Sequence, residues 1–160
     1  MIRKAQIKDV KAIYDLLSEF SAQGHLLARP LSLLYDTIRS FWVFTDDTTG
    51  RVMGCCALQI CWEDLAEIRS LAVLPEHQGN HIGRQLVENA LADAGAFGIK
   101  KVFTLTYIPA FFEQFGFSTI DKTELPLKIW SDCITCVKYP DCDETAMMRH
   151  INGDAKPDRE

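Results

Sequence analysis

The chain has 160 residues, of which 48% are hydrophobic and 24% charged, a composition that suits a single folded domain and excludes a disordered chain. Its formal net charge of −5 argues against a nucleic-acid partner, because phosphate contacts need clustered Lys and Arg. No apolar run approaches the roughly 18 residues of a membrane helix, and the opening residues lack a signal peptide's apolar stretch, so we expect a cytoplasmic protein without a membrane partner.

The first half of the chain predicts strands separated by two helices. The predicted strands are 1–6, 41–45, 51–62 and 65–74. Asp9 is placed to cap a helix that runs to about Gly24, and a second helix begins at Pro30. Because the strand over 51–62 is apolar on both faces, we expect it in the middle of a covered sheet.

The second half alternates helices with strands. Its predicted elements are a helix over 83–97, a strand over 101–106, a short helix over 109–115 and strands over 117–120 and 145–151. This order predicts an α/β (α+β) fold in which a mixed sheet carries helices on both faces. We expect one domain over 1–151, followed by a disordered tail over 152–160 that has no large apolar residue.

The segment 71–84 carries the clearest chemical signal, since a strand runs into a turn with Gly79 and Gly83 and the turn opens a helix. Glycine lets the backbone approach a ligand, and a helix start offers unbonded N–H groups and partial positive charge to a diphosphate. No carboxylate occurs over 78–85, and Arg84 adds a cation. The glycines alone would equally fit a tight turn, and the pattern is neither a Walker loop nor a nicotinamide fingerprint.

The residues QGNHIG at 78–83, after LAVLPEH and before a helix, resemble motif A of the GNAT acetyl-CoA N-acetyltransferases. The segment FFEQFGF at 111–117 is similar to that family's aromatic helix beside the pantetheine. The resemblance covers most of the chain and implies a three-layer fold with a mostly antiparallel sheet of about seven strands. It also implies acetyl-CoA as co-substrate and no metal for the chemistry. The implied acetyl-CoA contacts are Leu71, Ala72, Val73, Gln78, Gly79, Asn80, His81, Ile82, Gly83, Arg84 and Phe112.

One position departs from motif A, because the family usually has glycine where this chain has His81. The backbone at that place makes a tight turn, and histidine is among the residues that tolerate such φ angles moderately well. We therefore expect the phosphate contact to persist at His81.

Three further segments resemble the short N-acetylglutamate synthases, namely QGHLLAR at 23–29, VFTLT at 102–106 and LPLKIW at 125–130. This narrower resemblance implies acetyl transfer to the α-amino group of L-glutamate, the first step of arginine biosynthesis, by direct attack in a ternary complex. The predicted partner is thus a small-molecule amino acid, and a homodimer is an open alternative to a monomer. An acetyltransferase for another small amine, amino acid or protein N-terminus is the nearest competing hypothesis.

A dicarboxylate acceptor needs cationic partners, and Arg29, Arg69 and Lys128 are the predicted substrate anchors. Each has an ordinary alternative. Arg29 would be a solvated loop residue, Arg69 would only balance Glu67, and Lys128 would be a surface lysine.

Glu67 is the predicted catalytic base, since strict alternation along 65–74 places it on the same face as Leu71 and Val73. Its alternative role is an ion pair with Arg69, one strand repeat away. The resemblance implies that two strands splay near Val73, where a backbone N–H would meet the thioester oxygen.

The general acid is less clearly marked. Many family members carry a tyrosine in the short helix after the fifth strand, where this chain has Phe112, which cannot donate a proton. Tyr107 is the nearest substitute, with water as the alternative acid and packing as the alternative role.

Three of the six cysteines, Cys133, Cys136 and Cys142, form a separate group. With His150, Asp143 or Cys61 as a fourth ligand they would make a structural zinc site, and two of them would make a disulfide. No second Cys-x-x-Cys pair follows, so reduced thiols packed in a loop are favoured and no metal site is assigned. A non-catalytic metal- or redox-binding module is the second competing hypothesis for the whole chain.

Overall fold

The computed structural model describes residues 1–22, 30–126 and 144–151, and the seven strands in those ranges form one sheet. The strands are β1 (Ile2–Lys4), β2 (Phe41–Thr45), β3 (Val52–Trp62), β4 (Leu65–Val73), β5 (Lys101–Thr106), β6 (Ser118–Thr119) and β7 (Thr145–His150). Their order is β1-β2-β3-β4-β5-β7-β6. Strands β4 and β5 run parallel, whereas the other neighbours run antiparallel. The predicted mixed, mostly antiparallel sheet is confirmed.

Helices cover both faces of this sheet, as the element order predicted. They are α1 (Val10–Ala22), α2 (Leu31–Thr37), α3 (Ile82–Ala96) and α4 (Pro109–Glu113). The buried stripe of α3 packs on one face together with Phe112 of α4, and Ile13, Leu17 and Leu34 of α1 and α2 pack on the other. None of the helices in the described ranges is long and apolar enough to cross a membrane.

Strand β3 lies between β2 and β4 and is buried on both faces, as its composition predicted. Its thiols at Cys55 and Cys56 have no exposed surface. Burial raises the pKa of Cys56 to about 12 and also raises the pKa of Cys55, so both thiols are protonated at neutral pH. They act as small hydrophobic residues of the core.

The start of α1 differs from the prediction, because Asp9 ends a 3-10 turn (Ile7–Asp9) before the helix instead of capping it. Its carboxylate accepts hydrogen bonds of 2.7 and 3.0 Å from the Arg3 guanidinium and one of 2.7 Å from the Gln6 N–H. Burial alone would raise the pKa of Asp9. The hydrogen bonds from Arg3 and Gln6 and the charges of Arg3 and Lys8 outweigh it and lower that pKa.

A bulge interrupts β4 in its middle. Its Arg69 pairs with Ala57 of β3, and its Ala72 pairs with Cys55, so two β4 residues oppose a single β3 residue between these pairs. Ser70, the first of the two, has a φ of 56°, in the left-handed region. Such a bulge adds one residue to a strand and re-aims the side chains beyond it.

The bulge overturns the expectation that Glu67, Arg69, Leu71 and Val73 share a face. Glu67 and Arg69 point to the face covered by α1 and α2, because their β3 partners belong to that side. Leu71 and Val73 pack in the cluster under α3. Strict alternation fails because one extra residue reverses the faces of all that follow.

Candidate active site

Strands β4 and β5 diverge about halfway along their length. Their pairs are Leu65 with Lys101, Ala66 with Val102 and Glu67 with Phe103. Just beyond them the Thr104 hydroxyl donates a 2.9 Å hydrogen bond to the Ile68 carbonyl. Both strands then continue without further pairing to each other, so the backbone edge of β4 beyond Ile68 faces an opening.

A cavity of about 780 Å³ occupies this opening, a volume typical of ligand sites. The predicted site residues that line it are Arg69, Leu71, Ala72, Val73, Gln78, Gly79, His81, Ile82, Gly83, Arg84, Tyr107 and Phe112. Glu67 and Asn80 are absent from the lining. The predicted anchors Arg29 and Lys128 and the cysteines Cys133, Cys136 and Cys142 lie outside the described residues.

The loop before α3 forms one end of the cavity. Gly79 and His81 both have left-handed φ angles, of 91° and 62°. The first helical hydrogen bond of α3 runs from the Gln85 N–H to the His81 carbonyl, at 3.0 Å. The N–H groups of the helix residues before Gln85 therefore have no acceptor within the helix. The first turn of α3 carries no acidic residue. Unbonded amides and the positive helix end suit a diphosphate.

Two side chains fasten this loop to its surroundings. The Gln78 amide donates a 3.1 Å hydrogen bond to the Val73 carbonyl at the end of β4. The Arg84 guanidinium donates to the Gln114 side chain at 2.8 Å and lies 5.4 Å from the centre of the Phe115 ring. Arg84 therefore places a positive charge between α3 and the end of α4, at the cavity rim.

The second glycine of the motif, Gly83 in the first turn of α3, lies at van der Waals distance from α4. A Cβ atom at Gly83 would lie 3.4 Å from the Phe111 ring, so α4 rests against the backbone of α3. The neighbouring Phe112 and Ile82 are each 3% exposed and belong to the core. These two residues touch the cavity with little of their surface, whereas Phe111 is only partly buried.

The backbone of β4 offers a donor at the opening. Leu74 donates its N–H to Met53 of β3 at 2.8 Å. Because successive residues of a strand point their backbone groups to opposite edges, the N–H of Val73 points to the open edge. A fixed N–H in this place has the orientation of an oxyanion-hole donor.

Arg69 lines the cavity away from the loop before α3 and pairs with Glu67, which does not line it. The Arg69 guanidinium lies 3.5 Å from the Glu67 carboxylate and donates a 2.6 Å hydrogen bond to Gln59. The side chains of Arg69 and Glu67 are only 11% and 12% exposed. The ion pair that the sequence offered as an alternative is thus present, and it is compatible with a catalytic role for Glu67.

Other cavity residues were not among the predicted site residues. They include Phe20, Ser70, Thr104, Thr106, Gln114 and Glu144. Glu144 directly precedes β7, whose first residue Thr145 pairs with Thr106 of β5. This pairing brings Glu144 to the open edge between β4 and β5. The alternation of Thr104 and Thr106 along β5 is a sequence pattern that places both threonines on one face of the strand.

Residues 37–119 of the 160 match the model of the acetyltransferase (GNAT) domain family. An uncharacterized N-acetyltransferase of Chlorobaculum tepidum is 41% identical over 94% of this chain and 96% of its own length. An amino-acid acetyltransferase of Mycobacterium tuberculosis is 35% identical over 82% of this chain and 76% of its own length.

Solved structures agree with these relatives. A Mycobacterium tuberculosis protein in complex with CoA and NLQ has a TM-score of 0.81 and 30% identity, over 94% of this chain and 99% of that one. Neisseria gonorrhoeae N-acetylglutamate synthase, complexed with coenzyme A and N-acetyl-glutamate, has a TM-score of 0.84 and 29% identity, and this chain matches 34% of its length. The chain therefore belongs to the GNAT acetyltransferase family and is an acyltransferase that uses acetyl-CoA.

Proposed function

We propose that this protein transfers the acetyl group of acetyl-CoA to the α-amino group of an amino acid, L-glutamate, in the cytoplasm. The observation that carries the proposal is one cavity with an anion-binding loop at one end and Arg69 at the other. Between them lies the open edge of β4. Relatives named amino-acid acetyltransferase and N-acetylglutamate synthase support the choice of acceptor.

The loop before α3 would bind the diphosphate of acetyl-CoA through main-chain amides. The first turn of α3 has no acidic residue that would repel the anion. The assigned contacts in this loop are Gln78, Gly79, Asn80, His81 and Gly83, with Arg84 as a nearby cation. The pantetheine would then pass along Phe111 and Phe112 into the gap beside β4. This route places the thioester carbonyl near the N–H of Val73.

The chemistry would be a direct attack. The neutral amine forms a bond to the thioester carbon, and the N–H of Val73 stabilises the negative oxygen of the tetrahedral intermediate. Collapse of the intermediate breaks the C–S bond. Glu67 accepts the proton of the amine, through water because its side chain does not line the cavity. Tyr107 or water supplies a proton to the departing thiolate.

The acceptor would lie at the charged end of the cavity. Arg69 is the described cation that lines this end, and its guanidinium would pair with a carboxylate of the amino acid. A dicarboxylic acid needs a second cation, and Arg29 and Lys128 are proposed for that role from the sequence. An acceptor of this class also fits a first step of arginine biosynthesis.

A panel of amines tests the substrate. Thiol release from acetyl-CoA is measured with L-glutamate, L-glutamine, L-aspartate, spermidine and a peptide N-terminus, each over a range of concentrations. We expect kcat/KM for L-glutamate to exceed that of the other amines by about tenfold or more. Turnover with spermidine or the peptide and none with an amino acid would refute the proposed acceptor.

Metal analysis and a thermal shift with acetyl-CoA test the remaining hypothesis of a metal- or redox-binding module. Membership of an acetyltransferase family disfavours that module. We expect a rise in the melting temperature with acetyl-CoA whether or not metal is found. One equivalent of bound zinc without any acetyl-CoA effect would support the module instead.

A further inference from the structure

Two residues other than glycine have a positive φ in the described part of the chain, Ser70 at 56° and His81 at 62°, and both line the same cavity. Residues with side chains adopt this conformation at an energetic cost, and such strain clusters at functional sites. His81 belongs to the loop at the acetyl-CoA end. Ser70 lies at the opposite end, next to Arg69.

The backbone geometry at Ser70 does not by itself call for serine. Glycine adopts positive φ without the strain of a Cβ atom. The described chain uses glycine in that way at Gly50, Gly79, Gly98 and Gly116. A serine at the bulge therefore adds strain together with a hydroxyl group.

One hydrogen bond fixes the backbone of the bulge next to this hydroxyl. The buried Cys55 thiol donates a 3.3 Å hydrogen bond to the Ser70 carbonyl. Within the described ranges the Ser70 hydroxyl itself has no hydrogen-bond partner, although the residue is half-buried at the cavity wall. The hydroxyl thus lies in a fixed backbone setting with its hydrogen-bonding capacity unused.

The surroundings of Ser70 are polar. Ser70 and Arg69 line the main cavity and also a smaller pocket of about 90 Å³ beneath α2. Thr37, Ser40 and Gln59 complete the polar part of that smaller pocket. Ser70 and Arg69 therefore lie where this polar pocket borders the main cavity, and the Ser70 hydroxyl is available there to a carboxylate that Arg69 binds.

We propose that Ser70 is a specificity-determining residue whose hydroxyl donates a hydrogen bond to the carboxylate of the acceptor amino acid that Arg69 binds. This inference rests on the proposed function. The bulge would keep the hydroxyl directed at the acceptor, and Cys55 would act as a positioning residue through the Ser70 carbonyl.

The test compares Ser70→Ala and Ser70→Gly with wild type in steady-state kinetics and thermal unfolding. Both variants lack the hydroxyl, but glycine also relieves the backbone strain. We expect each to raise KM for the amino acid about tenfold, with KM for acetyl-CoA within about twofold of wild type. The melting temperature of Ser70→Gly should equal or exceed that of wild type.

Ser118→Ala is the matched control, since Ser118 is an exposed strand serine outside the cavity. It should leave both KM values unchanged. The inference would be overturned if KM for the amino acid were unchanged in Ser70→Ala, or if Ser70→Gly had the wild-type KM for the amino acid. A wild-type enzyme that turns over no amino acid would overturn the proposed function and this inference together, whereas turnover insensitive to Ser70 would overturn this inference alone.

Discussion

The guanidinium of Arg69 lies 3.5 Å from the carboxylate of Glu67, on the sheet face covered by α1 and α2. Arg69 lines the cavity, whereas Glu67 does not. The pair therefore links the cation that we propose for acceptor binding to the carboxylate that we propose as the base. This arrangement depends on the two residues being one strand repeat apart and on the bulge that follows them.

Replacing Glu67 by Gln should lower kcat about 100-fold, because a positioned general base contributes at least that much. KM for acetyl-CoA should change little, since Glu67 belongs neither to the cavity lining nor to the loop proposed to bind the diphosphate. Glu63→Gln serves as the control, because Glu63 is exposed in the turn between β3 and β4. Steady-state kinetics over a range of pH would check this, and a full kcat in Glu67→Gln would remove Glu67 from the mechanism.

Gly79→Ala should weaken acetyl-CoA binding. A Cβ atom at Gly79 meets nothing within 4 Å, so the substitution acts through its φ of 91°. Gly98 is a matched control, with a φ of 83°, equally open space, and a position about 22 Å away beyond the far end of α3. Both variants should lose about 1 kcal/mol of stability. Only Gly79→Ala should raise KM for acetyl-CoA, and equal effects on KM would contradict the loop assignment.

His81→Gly should retain acetyl-CoA affinity. Glycine accepts the φ of 62° more easily than histidine, and the contact that we propose with the diphosphate uses the backbone. We expect a dissociation constant within about threefold of wild type, measured by calorimetry, and no fall in melting temperature. A large loss of affinity would show that the His81 side chain itself contacts the co-substrate.

Asp9→Asn should destabilise the protein at neutral pH by about 2 kcal/mol, because it breaks the largely buried pair with Arg3. The pKa of Asp9 is lowered in the folded state, so its stabilising effect is present above the unfolded value and is lost as pH falls through the folded value. The difference between variant and wild type should therefore shrink below about pH 4. Urea unfolding at several pH values measures it, and a difference independent of pH would refute the assignment.

Local patterns accounted for most of the elements. The strand at Lys101–Thr106 was predicted with its observed bounds, and the helix over 83–97 lies within one residue of Ile82–Ala96. Periodicity and glycine stops act within a few residues, so they are readable in sequence. The prediction for Asp9 was wrong, because its partner Arg3 becomes a neighbour only once β1 and α1 pack together.

The candidate site shows the same division. The loop proposed to bind the diphosphate was readable as a strand-turn-helix segment, because glycine spacing, missing carboxylates and a helix start are adjacent along the chain. The faces of the β4 side chains could not be read from the sequence. They depend on the bulge, which arises from the register of β4 against β3, and the residues paired there, such as Cys55 and Ala72, are more than ten positions apart in the chain.

The sequence by itself determined the element types, the glycine-containing turn before α3 and the placement of Glu67 and Arg69 on one strand. Only the tertiary structure decided where β4 and β5 diverge, that Ser70 adopts a left-handed conformation, and that Glu144 reaches the cavity. The reason is physical. Helix and turn preferences come from neighbouring residues, whereas strand register and cavity walls come from contacts between segments far apart in the chain.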